Sequence, residues 1–291
     1  MDRRKQILKL FWTVGLLFLG VVLTAFAFTK NYSLGISYSN NLAFLPVMVA
    51  MAFVAEYVDS SLGMGYGTTL TPILIILGFS PLQVVPAVLF SEFISGISAG
   101  SLHHKLGNVN LGRGTRAHKT MCILALCSII GTVISVLLAL SLPKHIIKFY
   151  IGIMICLIGL FILIGRYIGT TFSWKKIIGL GTLAAFNKGI SGGGYGPLVT
   201  GGQIIVGVSE KNAIGITSFA EGLVCLMGLI LYVSFNGWFA WSLALPLTIG
   251  AILSVPAATW TVKILPERLL RQSIGYATLF LGALTLTKVM I

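Results

Sequence analysis

Long apolar runs separated by short basic connectors dominate the chain. A helix rises about 1.5 Å per residue, so about 20 apolar residues cross a hydrocarbon core of about 30 Å. Two shorter runs, near 68–78 and 197–207, follow glycine clusters and cover about half of that core. The long runs lie at roughly 8–29, 43–61, 82–102, 120–142, 146–165, 176–190, 212–234, 239–262 and 269–290. The pattern predicts an all-α integral membrane protein with interrupted or re-entrant helices.

Composition supports a lipid environment. Only 9% of the residues are charged, whereas a soluble domain carries about 25%. The net charge of +13 would suggest nucleic acid in a soluble protein, but the basic residues fall mostly in connectors between apolar runs. Topology therefore explains the charge, and no nucleic-acid partner is predicted. The lipid bilayer is the expected partner, and a homodimer is left open.

The basic connectors predict an orientation. With a cytoplasmic N-terminus, fifteen basic residues fall on the cytoplasmic side, as the positive-inside rule requires. The sequence therefore predicts a multi-pass protein of the cell membrane, with its first apolar run retained as a helix. The fifteen residues are Arg3, Arg4, Lys5, Lys9, Lys105, Arg113, Arg116, Lys119, Arg166, Lys175, Lys176, Lys211, Lys263, Arg268 and Arg271.

An internal repeat relates the two glycine clusters. Aligning each residue of 63–92 with the residue 129 positions later gives 11 identities in 30 positions, more than the two or three expected by chance, which indicates duplication. The charge pattern starts the two copies on opposite sides of the membrane. We therefore expect inverted repeats of five segments each. The predicted divisions are an N-terminal helix with an external loop (1–41), a first repeat (42–170) and a second, inverted repeat (171–291).

The glycine clusters are the strongest candidates for a binding site. Clustered glycines let a helix unwind and expose its amides, and amides at a helix N-terminus favour an anion. Close helix packing through small residues is the alternative. Polar neighbours extend the predicted substrate site. Its full set is Gly63, Gly65, Tyr66, Gly67, Thr71, Lys188, Gly192, Gly193, Gly194, Tyr195, Gly196, Thr200, Gln203, Thr217 and Ser218.

Acidic residues inside apolar runs predict proton coupling or gating. Glu92 and Glu221 occupy the same repeat position, and a charge at bilayer depth costs roughly 2.5–3.5 kcal/mol or more, so it lines a cavity or finds a partner. Asp59 and Lys188 are also equivalent under the 129 offset. They either form a central ion pair or leave Lys188 to attract the anion directly. Glu56 lies in the same region.

Little in the sequence supports an enzymatic function. Gly189 to Gly192 fit the GxSG pattern of intramembrane proteases, but such an enzyme needs a histidine base within hydrogen-bond reach. All four histidines fall in predicted connectors. The chain has no Walker-type nucleotide motif, and neither a cofactor nor a metal is predicted.

The repeated motifs resemble the TauE/SafE family, the sulfite exporter family. Residues 191–200 with 212–218 resemble the second copy of that family's glycine-rich signature, and 59–71 with 78–81 resemble the first. The resemblance covers about 42–290, and Met64 departs from a full glycine run. It implies export of sulfite, sulfoacetate or a related organosulfonate.

Together these observations predict a secondary transporter that exports sulfite or a small organosulfonate by proton-coupled alternating access. An anion channel, a membrane sensor and an intramembrane enzyme are the alternatives.

Overall fold

The computed structural model describes residues 45–77, 79, 81–139, 172–191, 193–236 and 239–266, with scattered positions in 153–163 and 268–283. The predicted helix at 8–29 and most of the runs 146–165 and 269–290 lie outside the described residues. Within the described part, the regular structure is entirely α-helical. The helices are α1 Leu45–Leu62, α2 Tyr66–Ile76, α3 Pro81–Lys105, α4 Arg116–Ala139, α5 Trp174–Ser191, α6 Tyr195–Ile205, α7 Glu210–Asn236 and α8 Trp241–Ile264.

Five of these helices are long and apolar enough to cross a membrane: α1, α3, α4, α7 and α8. Their outward faces carry large apolar side chains, including Leu126, Ile130 and Leu253, each more than half exposed. Lipid suits such a surface, and hydrogen bonds within each helix satisfy its backbone. The chain is therefore a multi-pass membrane protein.

The helix boundaries repeat along the chain. Adding 129 to the bounds of α1 gives those of α5, and the same shift turns α2 into α6. The first residue of α3 maps onto the first residue of α7 in the same way. A shift of 125 turns α4 into α8. The offset found in the sequence thus extends to the ends of the helices.

The two sets of helices pack into each other. Helix α1 lies against α8, and its counterpart α5 lies against α4; α3 lies against α8, and α7 against α4. The remaining extensive contact joins α3 to α7. Exchanging every helix for its counterpart reproduces these pairs, so within the described residues the core forms between the two sets of helices.

Helices α3 and α7 touch through glycine. A Cβ atom on Gly96 would lie 2.7 Å from the Ser218 carbonyl oxygen, and one on Gly222 would lie 2.9 Å from the Ile97 nitrogen. Only glycine lets the two backbones approach this closely. The contact places Glu92 and Glu221 near one another, since each lies within about one turn of the crossing.

The basic connectors gather at one end of the bundle. The Lys211 ammonium donates to the Lys263 carbonyl at 2.9 Å, and the Arg116 guanidinium lies 4.8 Å from the centre of the Phe172 ring. Met121, Phe172 and Val208 share an apolar cluster with Val109, and the neighbouring Asn108 donates to the Thr259 carbonyl of α8. The starts of α4, α5 and α7 therefore lie near the end of α8. We call this end, with the 106–115 connector between α3 and α4, the basic end.

The start of α1, the end of α2 and the start of α8 share an apolar cluster that includes Met48, Leu77 and Leu243. Helix α8 runs from this cluster to Lys263 at the basic end. Since α1 starts in the cluster and α2 finishes in it, the α1–α2 pair begins and ends away from the basic end. We call this the apolar end.

Candidate functional site

Two helix breaks form the centre of the candidate site. Helix α1 ends at Leu62 and α2 begins at Tyr66, while α5 ends at Ser191 and α6 begins at Tyr195. Gly63 and Gly194 have φ of 72° and 79°, a left-handed conformation that glycine adopts without steric cost. The predicted interruptions therefore occur at the glycine clusters. The predicted site residue Gly192 lies outside the described residues.

The two breaks lie directly against each other. A Cβ atom on Gly193 would lie 2.9 Å from the Thr68 nitrogen, and one on Gly196 would lie 2.7 Å from the Met64 Cα. The Thr200 hydroxyl donates to the Gly63 carbonyl at 2.8 Å. We call residues 63–68 and 193–200 together the glycine junction. Its two backbone segments pack tightly because Gly193 and Gly196 carry no side chain.

A buried ion-pair triad lies beside the junction. The Lys188 ammonium is 2.6 Å from Glu92 Oε2 and 2.7 Å from Glu221 Oε1. Lys188 and Glu92 are only 2% and 3% exposed, so solvent screens these charges little. The triad joins α3, α5 and α7, which come from both halves.

The triad is also tied to the start of α2. The Gly67 amide donates to Glu92 Oε1 at 3.0 Å, and the Tyr66 amide donates to Asp59 Oδ1 at 3.2 Å. The glycine pattern predicts that amides at this helix start bind an anion. Two of these amides already donate to carboxylates of the protein. Of the two roles proposed for Asp59 and Lys188, the ion pair between them does not form, because Lys188 bonds Glu92 and Glu221 instead.

Glu56 completes a group of four buried carboxyls. It accepts hydrogen bonds from the Ser60 hydroxyl at 2.5 Å and the Ser95 hydroxyl at 2.9 Å. Glu56, Asp59, Glu92 and Glu221 are each under 9% exposed, and Lys188 is the one described cation buried among them. Full ionisation of the group would leave negative charge uncompensated in a region away from water, which is costly.

Polar side chains from α6 and α7 line one side of the junction. The Thr217 hydroxyl lies 2.9 Å from the Thr200 hydroxyl and accepts from Gln203 Nε2 at 2.9 Å. These three predicted residues therefore come together. Ser218 is buried but bonds the Ile214 carbonyl of its own helix, and Thr71 is buried with no hydrogen bond from its hydroxyl to the described residues.

The two tyrosines take part in helix packing. The Tyr66 hydroxyl lies 2.6 Å from the Ser91 hydroxyl and donates to the Leu247 carbonyl at 3.4 Å, so it bridges α2, α3 and α8. Tyr195 is fully buried in the cluster that contains Met121 and Leu124 of α4. The structure thus favours helix bridging for Tyr66, the alternative to direct ligand binding.

Sequence reasoning missed several partners of the acidic residues. Ser95 was not among the predicted site residues, although it lies about one helical turn after Glu92, which is a detectable signal, and it donates to Glu56. Ser91, directly before Glu92, bonds the Tyr66 hydroxyl instead of a carboxyl. The Cys225 thiol lies 3.4 Å from Glu92 Oε2. Ser60 lies one turn after Glu56. These small polar residues are common in apolar helices, so their presence alone carries little weight.

Three histidines predicted to lie in connectors lie in helices instead: His103 and His104 in the last turn of α3, and His118 in the first turn of α4. His103 lies in the last turn of α3, which continues beyond the predicted end of that run, and it is fully buried. Its Nε2 donates to the Ser60 carbonyl at 3.0 Å, and its Nδ1 accepts from the Asn108 amide at 2.9 Å. Both ring nitrogens are therefore engaged in holding the end of α3. His145 lies outside the described residues.

The fold and the site define a class: a multi-pass membrane protein in which two broken helices meet beside a buried ion-pair triad. The family model for the sulfite exporter TauE/SafE matches residues 48–285, and the chain belongs to this family of membrane transporters. The "Probable membrane transporter protein YtnM" of Bacillus subtilis (strain 168) is 26% identical over 257 residues, which cover 83% of this chain and 82% of that protein. No solved structure matches the chain.

Proposed function

We propose that this transporter exports sulfite or a small organosulfonate such as sulfoacetate across the cell membrane by proton-coupled alternating access. The observation that carries the proposal is the position of Lys188. Its buried ammonium is paired with Glu92 and Glu221. When one of these carboxylates is protonated or displaced, the ammonium can attract a small anion, and little solvent screens that attraction. The relatives support transport, and the name of the family supports the sulfur oxyanion.

The proposed anion site consists of the Lys188 ammonium, the Gly67 amide and the polar group of Thr200, Gln203 and Thr217. Two observations support this assignment. Thr200 bonds Gly63 of the junction and lies beside Thr217, and Glu92 joins Lys188 to the Gly67 amide. The junction itself is packed backbone to backbone. We therefore assign the described conformation to a closed state, which must open before an anion enters.

Alternating access follows from an inverted repeat, which we also propose. Residues 42–170 and 171–291 would be the two copies, with 1–41 adding an N-terminal transmembrane helix. Support comes from the helix ends: the α1–α2 pair begins and ends at the apolar end, whereas α5 and α7 begin at the basic end. Equivalent packing lets each half adopt the conformation of the other at similar energy.

The proposed orientation places the basic end and the N-terminus in the cytoplasm. Exposed cations at that end, among them Lys105, Arg113 and Lys176, fit the positive-inside rule. Cysteine labelling from each side of intact cells tests this orientation. Labelling of position 113 from outside would overturn it.

Uptake by proteoliposomes tests the function. The full-length chain should catalyse saturable flux of labelled sulfite or sulfoacetate, and Lys188→Gln should abolish that flux. Lys176→Gln is the matched control, since Lys176 is exposed at the start of α5, and it should transport normally. Absence of flux for both anions would overturn the proposal. Flux that does not saturate would instead identify an anion channel.

A further inference from the structure

Glu92 occupies the place where an anion would bind. One of its oxygens accepts from the Gly67 amide at 3.0 Å, and the other lies 2.6 Å from the Lys188 ammonium. A carboxylate and a sulfur oxyanion offer the same chemistry to these partners, namely charged oxygens that accept hydrogen bonds. The side chain of Glu92 therefore acts as an internal counterpart of the transported anion.

An incoming anion must compete with Glu92. If the carboxylate stayed charged after its displacement, two negative groups would lie side by side away from water, which is costly. A proton on Glu92 removes this cost, because the neutral acid no longer holds Lys188 as an ion pair. Glu221 remains beside Lys188 at 2.7 Å and keeps the ammonium in position.

We propose, on the basis of the function proposed above, that a proton and the anion bind together: the proton to Glu92, and the anion to the Gly67 amide and the Lys188 ammonium that Glu92 releases. One O–H bond forms on the Glu92 carboxyl as one O–H bond of a hydronium ion in the solvent breaks and releases water. No covalent bond of the anion changes.

The surroundings single out Glu92. Glu56 bonds two serines, and Asp59 bonds the Tyr66 amide; neither forms an ion pair with Lys188 within the described residues. Glu221 contacts Lys188, but its second oxygen has no hydrogen-bond partner in the described part of the chain. Glu92 alone among these four joins the ammonium to a junction amide.

The titratable groups that face Glu92 are Glu56, Asp59, Tyr66, Lys188, Glu221 and Cys225. Helix α8 adds only Lys263, in its last turn.

Joint binding fixes the relative direction in which the proton and the anion are transported. Since the proton and the anion occupy the protein together, they cross the membrane in the same direction. An inward proton gradient then opposes export, and the concentration gradient of the anion must drive it, helped by the membrane potential when net negative charge leaves. This differs from an exporter that exchanges an incoming proton for an outgoing anion.

Binding to the purified full-length chain tests the linkage. Sulfoacetate and sulfite are titrated at about pH 6 and about pH 8, with sulfite counted as its dianion. We expect affinity to fall at least about tenfold, and up to about a hundredfold, at the higher pH, because one proton bound with the anion changes affinity by up to tenfold per pH unit. Glu92→Gln mimics the protonated acid and should bind equally well at both pH values, within about twofold. Glu210→Gln, the same change in the first turn of α7, should keep the wild-type dependence.

Vesicles loaded with a pH-sensitive dye test the direction. A gradient of the anion into wild-type vesicles should acidify the lumen, and Glu92→Gln should retain anion exchange while losing the acidification. Retained exchange separates this result from simple misfolding. Anion flux that alkalinises the lumen, or an unchanged pH dependence in Glu92→Gln, would overturn the coupling but leave the proposed function intact. Absence of binding and flux for both anions would overturn both proposals.

Discussion

The two helix breaks share a backbone design but differ in the side chains around them. At each break a glycine in the left-handed conformation separates a helix of 18 residues from one of 11. A glutamate follows at the same repeat position, Glu92 or Glu221, and both bond Lys188. The common features are those that set the path of the chain and place a carboxyl beside the junction.

The differences concern polarity. Where the first half has Asp59, the second has Lys188; where the first has Val88, the second has Thr217; and Ser91 corresponds to Ala220. The second break therefore supplies the ammonium and the hydroxyl network, whereas the first supplies the amide that bonds Glu92. The two breaks thus share their backbone geometry and differ in the charge around them. Four substitutions probe this contrast.

Lys188→Met should have the largest effect. It leaves Glu92 and Glu221 buried without their cation, and breaking a buried pair costs about 3–5 kcal/mol. We expect a large loss of thermal stability in detergent and no transport. Asp59→Asn, at the equivalent position, should cost about 1 kcal/mol, because one amide bond is weakened. Equal losses in the two variants would contradict the different roles assigned to these positions.

The double variant Lys188→Met/Glu92→Gln sharpens the first prediction. Removing one of the two stranded charges should restore part of the lost stability, and a double-mutant cycle measures this coupling. Additive losses would show that Lys188 and Glu92 contribute independently.

Gly193→Ala should come next. Its added methyl group would lie 2.9 Å from the Thr68 nitrogen and 3.0 Å from the Gly67 carbonyl carbon, and overpacking of this kind costs about 1–3 kcal/mol. Transport should fall sharply while membrane insertion persists. Gly179→Ala is the control, since nothing lies within 4 Å of its added carbon. Normal flux by Gly193→Ala would show that the junction opens without tight packing.

Thr217→Val introduces the residue type found at the equivalent position of the first half, Val88. It removes the contacts to Thr200 and Gln203 but keeps the side-chain shape, at a cost of about 1 kcal/mol. We expect the KM for the anion to rise about fivefold, which corresponds to about 1 kcal/mol of lost binding. Thr182→Val, on a hydroxyl that bonds only the Ile178 carbonyl of its own helix, should leave the KM unchanged. An unaltered KM in Thr217→Val would remove Thr217 from the site.

Ser91→Ala should have the smallest effect. Alanine is the residue at the equivalent position of the second half, Ala220. The change removes the hydrogen bond to the Tyr66 hydroxyl, at a cost of about 0.5–1.5 kcal/mol. Transport should stay within about twofold of wild type, because Tyr66 bridges helices. Ser98→Ala, where the hydroxyl bonds only the Ile94 carbonyl, serves as the control. Loss of transport in Ser91→Ala alone would assign Tyr66 to the anion site.

Much of the architecture could be predicted because its signals are local. The apolar runs located α1, α3, α4, α7 and α8 to within a few residues, since about 20 apolar residues are needed to cross lipid. Glycine identity marked the breaks, because Gly63 and Gly194 adopt a backbone conformation that other residues rarely take. The end of α3 was less predictable: His103 looks like a connector residue until its buried partners are known.

The sequence by itself determined the membrane-spanning class, the 129-residue offset between the two glycine clusters, the positions of the helix breaks and the presence of buried charge, because composition, spacing and residue type encode these properties. Only the tertiary structure decided that Lys188 pairs with Glu92 and Glu221 rather than with Asp59. That choice depends on the convergence of α3, α5 and α7 to within hydrogen-bonding distance. Such convergence is fixed by packing between segments far apart in the chain, and a repeat offset cannot specify it.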